Sequence, residues 1–227
     1  MAIESIGRQT LKADKIILWL DKNEFTENNL PFRLRRMESR GLSIRYCENF
    51  KSYKKIIPAL LEFKNSNVVT IDDDIVYKPS LIEELVKEHL FYPNSIIGHR
   101  CHEITRGKDG NILPYIKWKH DTKSNIENRD IFITTGGGTL FPPNAIASEF
   151  LNYELISSLC PNADDVWVKG VSIISNVECR KVSNESEFSC ENYFLDSNGD
   201  ELSLSNFYKN GNDIQIAEFS KHFKIKI

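Results

Sequence analysis

Along the first half of the chain, short apolar runs alternate with longer stretches whose apolar residues recur every three to four positions. Lys15–Asp21 (KIILWLD), Leu42–Cys47 (LSIRYC), Asn67–Asp72 (NVVTID) and Ser95–Gly98 (SIIG) are β-rich runs bounded by turn residues, and each reads as a buried strand. Between them, Asn28–Ser39, Ser52–Phe63 and Pro79–Phe91 carry helical spacing. The last opens on Pro79, a suitable first helical residue, and sets Leu81, Leu85 and Val86 on one face. Strand and helix in alternation predict βα units, hence an α/β fold around a central, mostly parallel sheet.

The pattern changes after Gly98. From His99 to Asp130 the periodicity is poor and is broken by Gly107, Gly110 and Pro114. Ile131–Thr135 (IFITT) then runs into Gly136-Gly137-Gly138 and Pro142-Pro143, the pattern of a strand feeding a tight loop. Ser148–Leu159 and Asp164–Ile174 read as helices, Val177–Val182 as a strand, Asn184–Gly199 as a mobile polar loop and Asp213–Phe223 as a helix. With no repeat and no linker, residues 1–227 read as one domain.

Composition narrows the functional classes. The formal charge of -3 argues against binding nucleic acid through bulk electrostatics, which needs clustered excess Lys and Arg. No apolar run approaches the roughly 18–20 residues of a membrane span, and Met1–Thr10 lacks the pattern of a signal peptide. The 5 cysteines form no Cys-x-x-Cys pair, so reduced thiols are expected, without zinc or disulfides. Together these readings predict a cytoplasmic protein.

The residues that stand out chemically are Asp72, Asp73 and Asp74, directly after an apolar strand. Open α/β sheets place their ligand crevice at that end of the strand. Three adjacent carboxylates repel one another, and Mg²⁺ or Mn²⁺ with substrate phosphate oxygens would relieve the repulsion. The plainer alternative is a solvated acidic turn that caps the helix near Pro79. Asp164 and Asp165 open a second helix, so one can cap it while the other faces a cleft. Gly136–Gly138 allows either a close backbone approach to a ligand or a simple turn. Lys54 and Lys55 are a basic pair on a helix face, and Trp167 reads as a core residue first and a sugar-stacking one second.

In this order the chain resembles GT-A glycosyltransferases, the bacterial family-2-like enzymes above all. Ile3–Leu20 resembles their first helix and second strand, Ser52–Leu60 (SYKKIIPAL) their donor-side helix, and Val69–Tyr77 (VTIDDDIVY) their metal-binding Asp-x-Asp segment. The glycine loop and Ala163–Lys169 (ADDVWVK) resemble the acceptor-side half. The resemblance implies a GT-A-like, Rossmann-like domain with residues 1–98 as donor-binding half and 99–227 as acceptor-side half. It implies metal-dependent, inverting transfer from a nucleotide-sugar donor to a glycan or lipid-linked glycan, in the cytoplasm or at the inner face of the membrane. Carried over by position, Asp74 is the expected metal ligand and Asp72 a supporting or second one, while Asp73 lies near the ribose. Lys54 or Lys55 approaches the nucleotide, with Lys54 the chosen site residue, and Gly137 and Gly138 approach donor sugar or acceptor. Asp165 is the expected general base and Asp164 the helix cap, and His222 suits a further metal ligand.

Two rivals accompany this reading. A haloacid-dehalogenase-type phosphatase also needs an apolar strand followed by Asp-x-Asp, which Val68–Val76 (VVTIDDDIV) satisfies, although here several βα elements come first. The other rival is a donor-incompetent chain kept as a binding subunit, since only Met1 and Ala2 precede the first helix where the resembled enzymes have a strand.

Overall fold

The computed structural model describes residues 1–123, 128–183, 187–195 and 210–227. The protein is mixed α/β. Ile16–Asp21 (β1) and Leu42–Cys47 (β2) pair in parallel, with Ile16 opposite Leu42 and Asp21 opposite Cys47. Val68–Ile71 (β3) instead joins a four-stranded sheet with Gly137–Phe141 (β8), Ile96–Gly98 (β5) and Cys179–Lys181 (β9), in the order β3-β8-β5-β9. Within it, β8 runs antiparallel to both β3 and β5, and only β5 and β9 are parallel. Two antiparallel pairs complete the strands among the described residues: Ile75–Val76 (β4) with Tyr193–Phe194 (β10), and Cys101–Glu103 (β6) with Ile131–Ile133 (β7).

The expected single, mostly parallel sheet is therefore not what forms. The cause is β8, a segment whose glycines read as a loop. Gly138 takes a left-handed φ of +88°, available at little cost to a residue without Cβ, and the strand continues through Thr139, Leu140 and Phe141, all 0% exposed. Burial of these side chains outweighs the poor strand propensity of glycine.

Among the described residues the α-helices are Ala2–Gly7 (α1), Phe32–Glu38 (α2), Ile57–Glu62 (α3), Leu81–Phe91 (α4), Tyr153–Leu159 (α5), Asp164–Ile174 (α6), Phe188–Glu191 (α7) and Gly211–Phe223 (α8). The stretch Ser52–Phe63 is not one helix: Lys51–Lys55 is a 3₁₀ turn and α3 begins afresh, with Pro58 in its first turn. Proline lacks the N–H that would bond the carbonyl of Lys54, so a continuous α-helix cannot pass through it.

Side chains fasten these elements. Gln9 donates from Nε2 to the Lys78 carbonyl (2.7 Å) and accepts at Oε1 from the Ile82 amide (2.9 Å), tying α1 to the start of α4. Trp167 is a core residue: it donates to the Phe150 carbonyl at 2.9 Å and packs edge-on against Phe219. Within Asn184–Gly199, residues 184–186 and 196–199 lie outside the described residues. The rest is not loop throughout: it holds a short helix, Phe188–Glu191, and the strand β10, and Asp121 accepts from the Phe188 and Ser189 amides (3.0 and 2.9 Å) with Phe188 buried in the core. Among the described residues, no helix is long and apolar enough to cross a membrane.

Candidate functional site

The end of β3 delivers Asp72, Asp73 and Asp74 to the wall of a cavity of about 1570 Å³, and the start of α6 delivers Asp164 and Asp165 to the same cavity. The two acidic groups are far apart in sequence, and one cation joins them. Lys55, from the 3₁₀ turn, donates from Nζ to Asp72 Oδ1 at 2.7 Å and pairs with Asp164 Oδ2 at 3.0 Å. Burial alone would favour loss of its proton, but the charges of Asp164, Asp72 and Asp165 outweigh it, and its pKa is raised.

Thr135 links the carboxylates on the far side. Its amide donates to Asp165 Oδ1 at 2.7 Å, and its hydroxyl lies 2.7 Å from Asp164 Oδ2 and 2.9 Å from Asp165 Oδ1. One hydroxyl proton cannot satisfy both oxygens, so the two acids compete for it. The outcome is divergent acidity. Burial disfavours the charge of Asp164, but Lys55 and the Thr135 hydroxyl more than compensate and hold its carboxyl below the usual range. Burial, with the Asp164 charge beside it, raises Asp165 to about 7 against the opposing pull of Lys55. A carboxyl poised there can take up or release a proton near neutrality.

The acidic triplet is held against the glycine turn. The Asp72 amide donates to Tyr77 Oη at 2.8 Å, and that hydroxyl donates to the Gly136 carbonyl at 2.5 Å. Burial and the charge of Asp72 raise the Tyr77 pKa, so the hydroxyl keeps its proton. Gly136 also makes room for the Asp72 carboxylate: a Cβ there would lie 1.6 Å from Oδ2. Gly136→Ala must push Asp72 off Lys55, and a loss of about 1–3 kcal/mol in urea unfolding is expected, the usual cost of overpacking. Unchanged stability would mean that Asp72 swings aside freely.

The structure sorts the other predicted residues. Asp73 is exposed, Asp74 is half-buried, and the Asp74 carbonyl accepts from the Leu195 amide at 2.7 Å, next to β10. Both lysines line the cavity, but Lys55 rather than Lys54 makes the ion pairs. Gly137 lines it as well, with Arg100 packed so close that a Cβ would sit 2.3 Å from that residue's Cβ. Gly138 is turned away against Leu81. Asp164 is not the helix cap: Ala163 holds that position, and the Asp164 carboxylate turns to Lys55 and Thr135. His222 is exposed near the end of α8 and does not line the cavity.

Several lining residues carried no sequence signal. Arg100, His102, Tyr115 and His120 come from the aperiodic stretch and line the cavity. His102 accepts the Asp121 amide at Nδ1 (3.0 Å), which leaves the proton on Nε2. Burial and the nearby Arg100 lower its pKa well below the ordinary histidine value.

Among the described residues, no three His, Cys, Asp or Glu side chains converge as a ready-made metal cage. Asp72 and Asp74 both line the cavity and carry hard carboxylate oxygens. This set suits Mg²⁺ or Mn²⁺, which take one or two carboxylates and complete their shell with water and substrate phosphate. Fold and site together define an α/β protein with a carboxylate-lined crevice at a strand end. Neither the protein-family models nor the curated proteins searched match this chain.

Proposed function

We propose that this chain is a glycosyltransferase that moves a sugar from a nucleoside-diphosphate donor to a hydroxyl group of a glycan or lipid-linked glycan, with inversion. One observation carries the reading: carboxylates from β3 and from α6 share one cavity, and one of them, Asp165, has its pKa raised to about 7. Transfer needs two carboxylate functions, one for the diphosphate and one for the acceptor proton. Asp74 and Asp72 would hold Mn²⁺ or Mg²⁺, which when bound supplies charge to offset that of the leaving diphosphate. Lys55 holds Asp72 and Asp164 in place and keeps Asp164 ionised. Asp165 removes the proton of the acceptor hydroxyl, and the Thr135 amide orients its carboxylate for that step. Lys54, at the cavity wall without a charge partner as close as those of Lys55, is available to the donor phosphates.

The test is calorimetry with UDP, GDP, ADP, CDP and dTDP in the presence of Mn²⁺ or of EDTA. Binding of a nucleoside diphosphate is expected only with the metal, because bare carboxylates and phosphates repel. Asp74→Asn should weaken metal-dependent binding about tenfold or more, as loss of a metal-site interaction typically does. Equal affinity in EDTA and Mn²⁺ would remove the metal from the mechanism. Failure of every diphosphate to bind would leave the binding-subunit reading, and phosphate release from p-nitrophenyl phosphate without sugar transfer would establish the phosphatase instead.

A further inference from the structure

Among the described residues, α2 is the α-helix with no buried residue. Leu34 and Met37, three positions apart, are half-buried, and they mark the side on which the helix lies against β2. At 3.6 residues per turn, the opposite side carries Phe32, Arg33, Arg35, Arg36 and Ser39. All five are exposed, Phe32 to 77%. Arg40 follows just past the helix. In a chain of formal charge -3, the stretch from Phe32 to Arg40 holds four arginines and one acid, Glu38.

Local structure accounts for only part of this charge. Arg35 and Arg36 lie in the last turn, where cations suit the helix dipole, and Arg35 donates to the Glu27 and Leu30 carbonyls. Carbonyl partners leave its charge in place. Arg33 sits in the first turn, where the dipole disfavours a cation, and Arg36 one turn on repels it. An exposed phenyl ring beside them adds little to the fold. Of the four arginines, Arg40 alone forms an ion pair among the described residues, with Glu4 of α1 at 3.5 Å, although Glu24 and Glu27 precede the helix. Neither packing nor helix stability therefore explains this face.

Cations around an exposed aromatic ring match the surface of an anionic lipid bilayer. Headgroup phosphates meet the guanidinium groups, and the ring enters the boundary with the acyl chains just beneath. Arginine suits this setting because its planar fork pairs bidentately with phosphate. We propose that α2 docks the protein on an anionic bilayer, lying flat with Phe32 inserted and Arg33, Arg35 and Arg36 among the headgroups. A nucleic acid would engage the same arginines, but its phosphate backbone offers Phe32 no apolar layer. The inference rests on α2 alone and not on the transferase reading, since none of these residues lines the cavity.

The test is flotation of the chain with vesicles of phosphatidylcholine, with and without phosphatidylglycerol. Binding is expected only on the anionic vesicles and should weaken as salt rises, because screening shortens the reach of the arginines. Arg33→Gln combined with Arg36→Gln should cut the partition coefficient about 30-fold, at about fivefold for each arginine near an anionic surface. Phe32→Ala should cut it about tenfold and leave the salt dependence unchanged. All three side chains are exposed, so thermal unfolding of the variants should match that of the parent. Equal binding to both kinds of vesicle, or to neither, would overturn the proposal, as would a double variant that binds like the parent. So would affinity for poly(U) that the double variant loses, together with vesicle binding indifferent to Phe32→Ala, since the patch would then be a polyanion site.

Discussion

Lys55→Met is expected to lower the stability of the fold by about 3–5 kcal/mol at neutral pH, the scale set by leaving buried charges without their partner. Lys55 is the cation between Asp72 and Asp164, its side chain is only 19% exposed, and Asp165 lies close enough to add to its pull. Methionine retains the packing of the stem and removes the charge, so three carboxylates are left facing one another. The pH dependence gives the sign. In the native protein Asp164 has a depressed pKa, so its contribution is present above the unfolded value near 4 and is lost as pH falls through the depressed one. Without Lys55 that depression goes, and the variant should recover part of its deficit at about pH 4, where the carboxyls take up protons. Urea unfolding across pH 4–8 measures this. A deficit below ~1 kcal/mol, or one that does not shrink in acid, would show that Lys55 behaves as an ordinary surface ion pair.

Asp165→Asn is expected to cut transfer by about 10²–10⁴-fold, the usual contribution of a general base, with nucleoside-diphosphate binding nearly intact. On the proposed transferase reading, kcat/KM of the native protein should rise with pH through about 7, where Asp165 loses its proton, and the variant should lose that limb. The same substitution should stabilise the fold. Because the folded-state pKa of Asp165 is raised, the native protein holds a proton that the unfolded chain has released, and stability falls as pH climbs from about 4 to about 7. Asparagine carries no such charge, still accepts from the Thr135 amide, and can donate to Asp164. A gain on the order of 2 kcal/mol at pH 8 is expected. Lost transfer with gained stability is a combination that a merely structural Asp165 would not produce. If the variant keeps full transfer, the base lies elsewhere.

Asp164→Asn separates the two acids. A capping role would make it mild, since Asn caps about as well as Asp. In the structure Asp164 is instead the first helical residue and a partner of Lys55, so its loss should weaken the fold and also alter Asp165, whose raised pKa depends in part on the Asp164 charge.

Much of the fold is legible in local pattern. Strands β1, β2, β3 and β5, and helices α4, α6 and α8, fall within a residue or two of their apolar runs, because such runs must be buried whatever surrounds them. The acidic triplet at the end of an apolar strand, and the pair opening α6, also stand out in the sequence as chemistry. Less legible were β6 and β8. The first lies in an aperiodic stretch, and the second contains Gly138, whose left-handed φ goes with Leu81 packed against it, and Gly137, which Arg100 approaches too closely for a Cβ. The order β3-β8-β5-β9 depends on that packing.

What the sequence determined by itself is where the apolar runs and the carboxylates stand, since these follow from residues near one another in the chain. Only the tertiary structure decided which lysine is the cation, that Asp164 pairs rather than caps, and that Lys55 lies in ion-pair contact with Asp164 and acts on Asp165 only through its charge. Each of those depends on groups separated by many residues that meet in one desolvated cavity, where a few ångströms determine which carboxylate is charged.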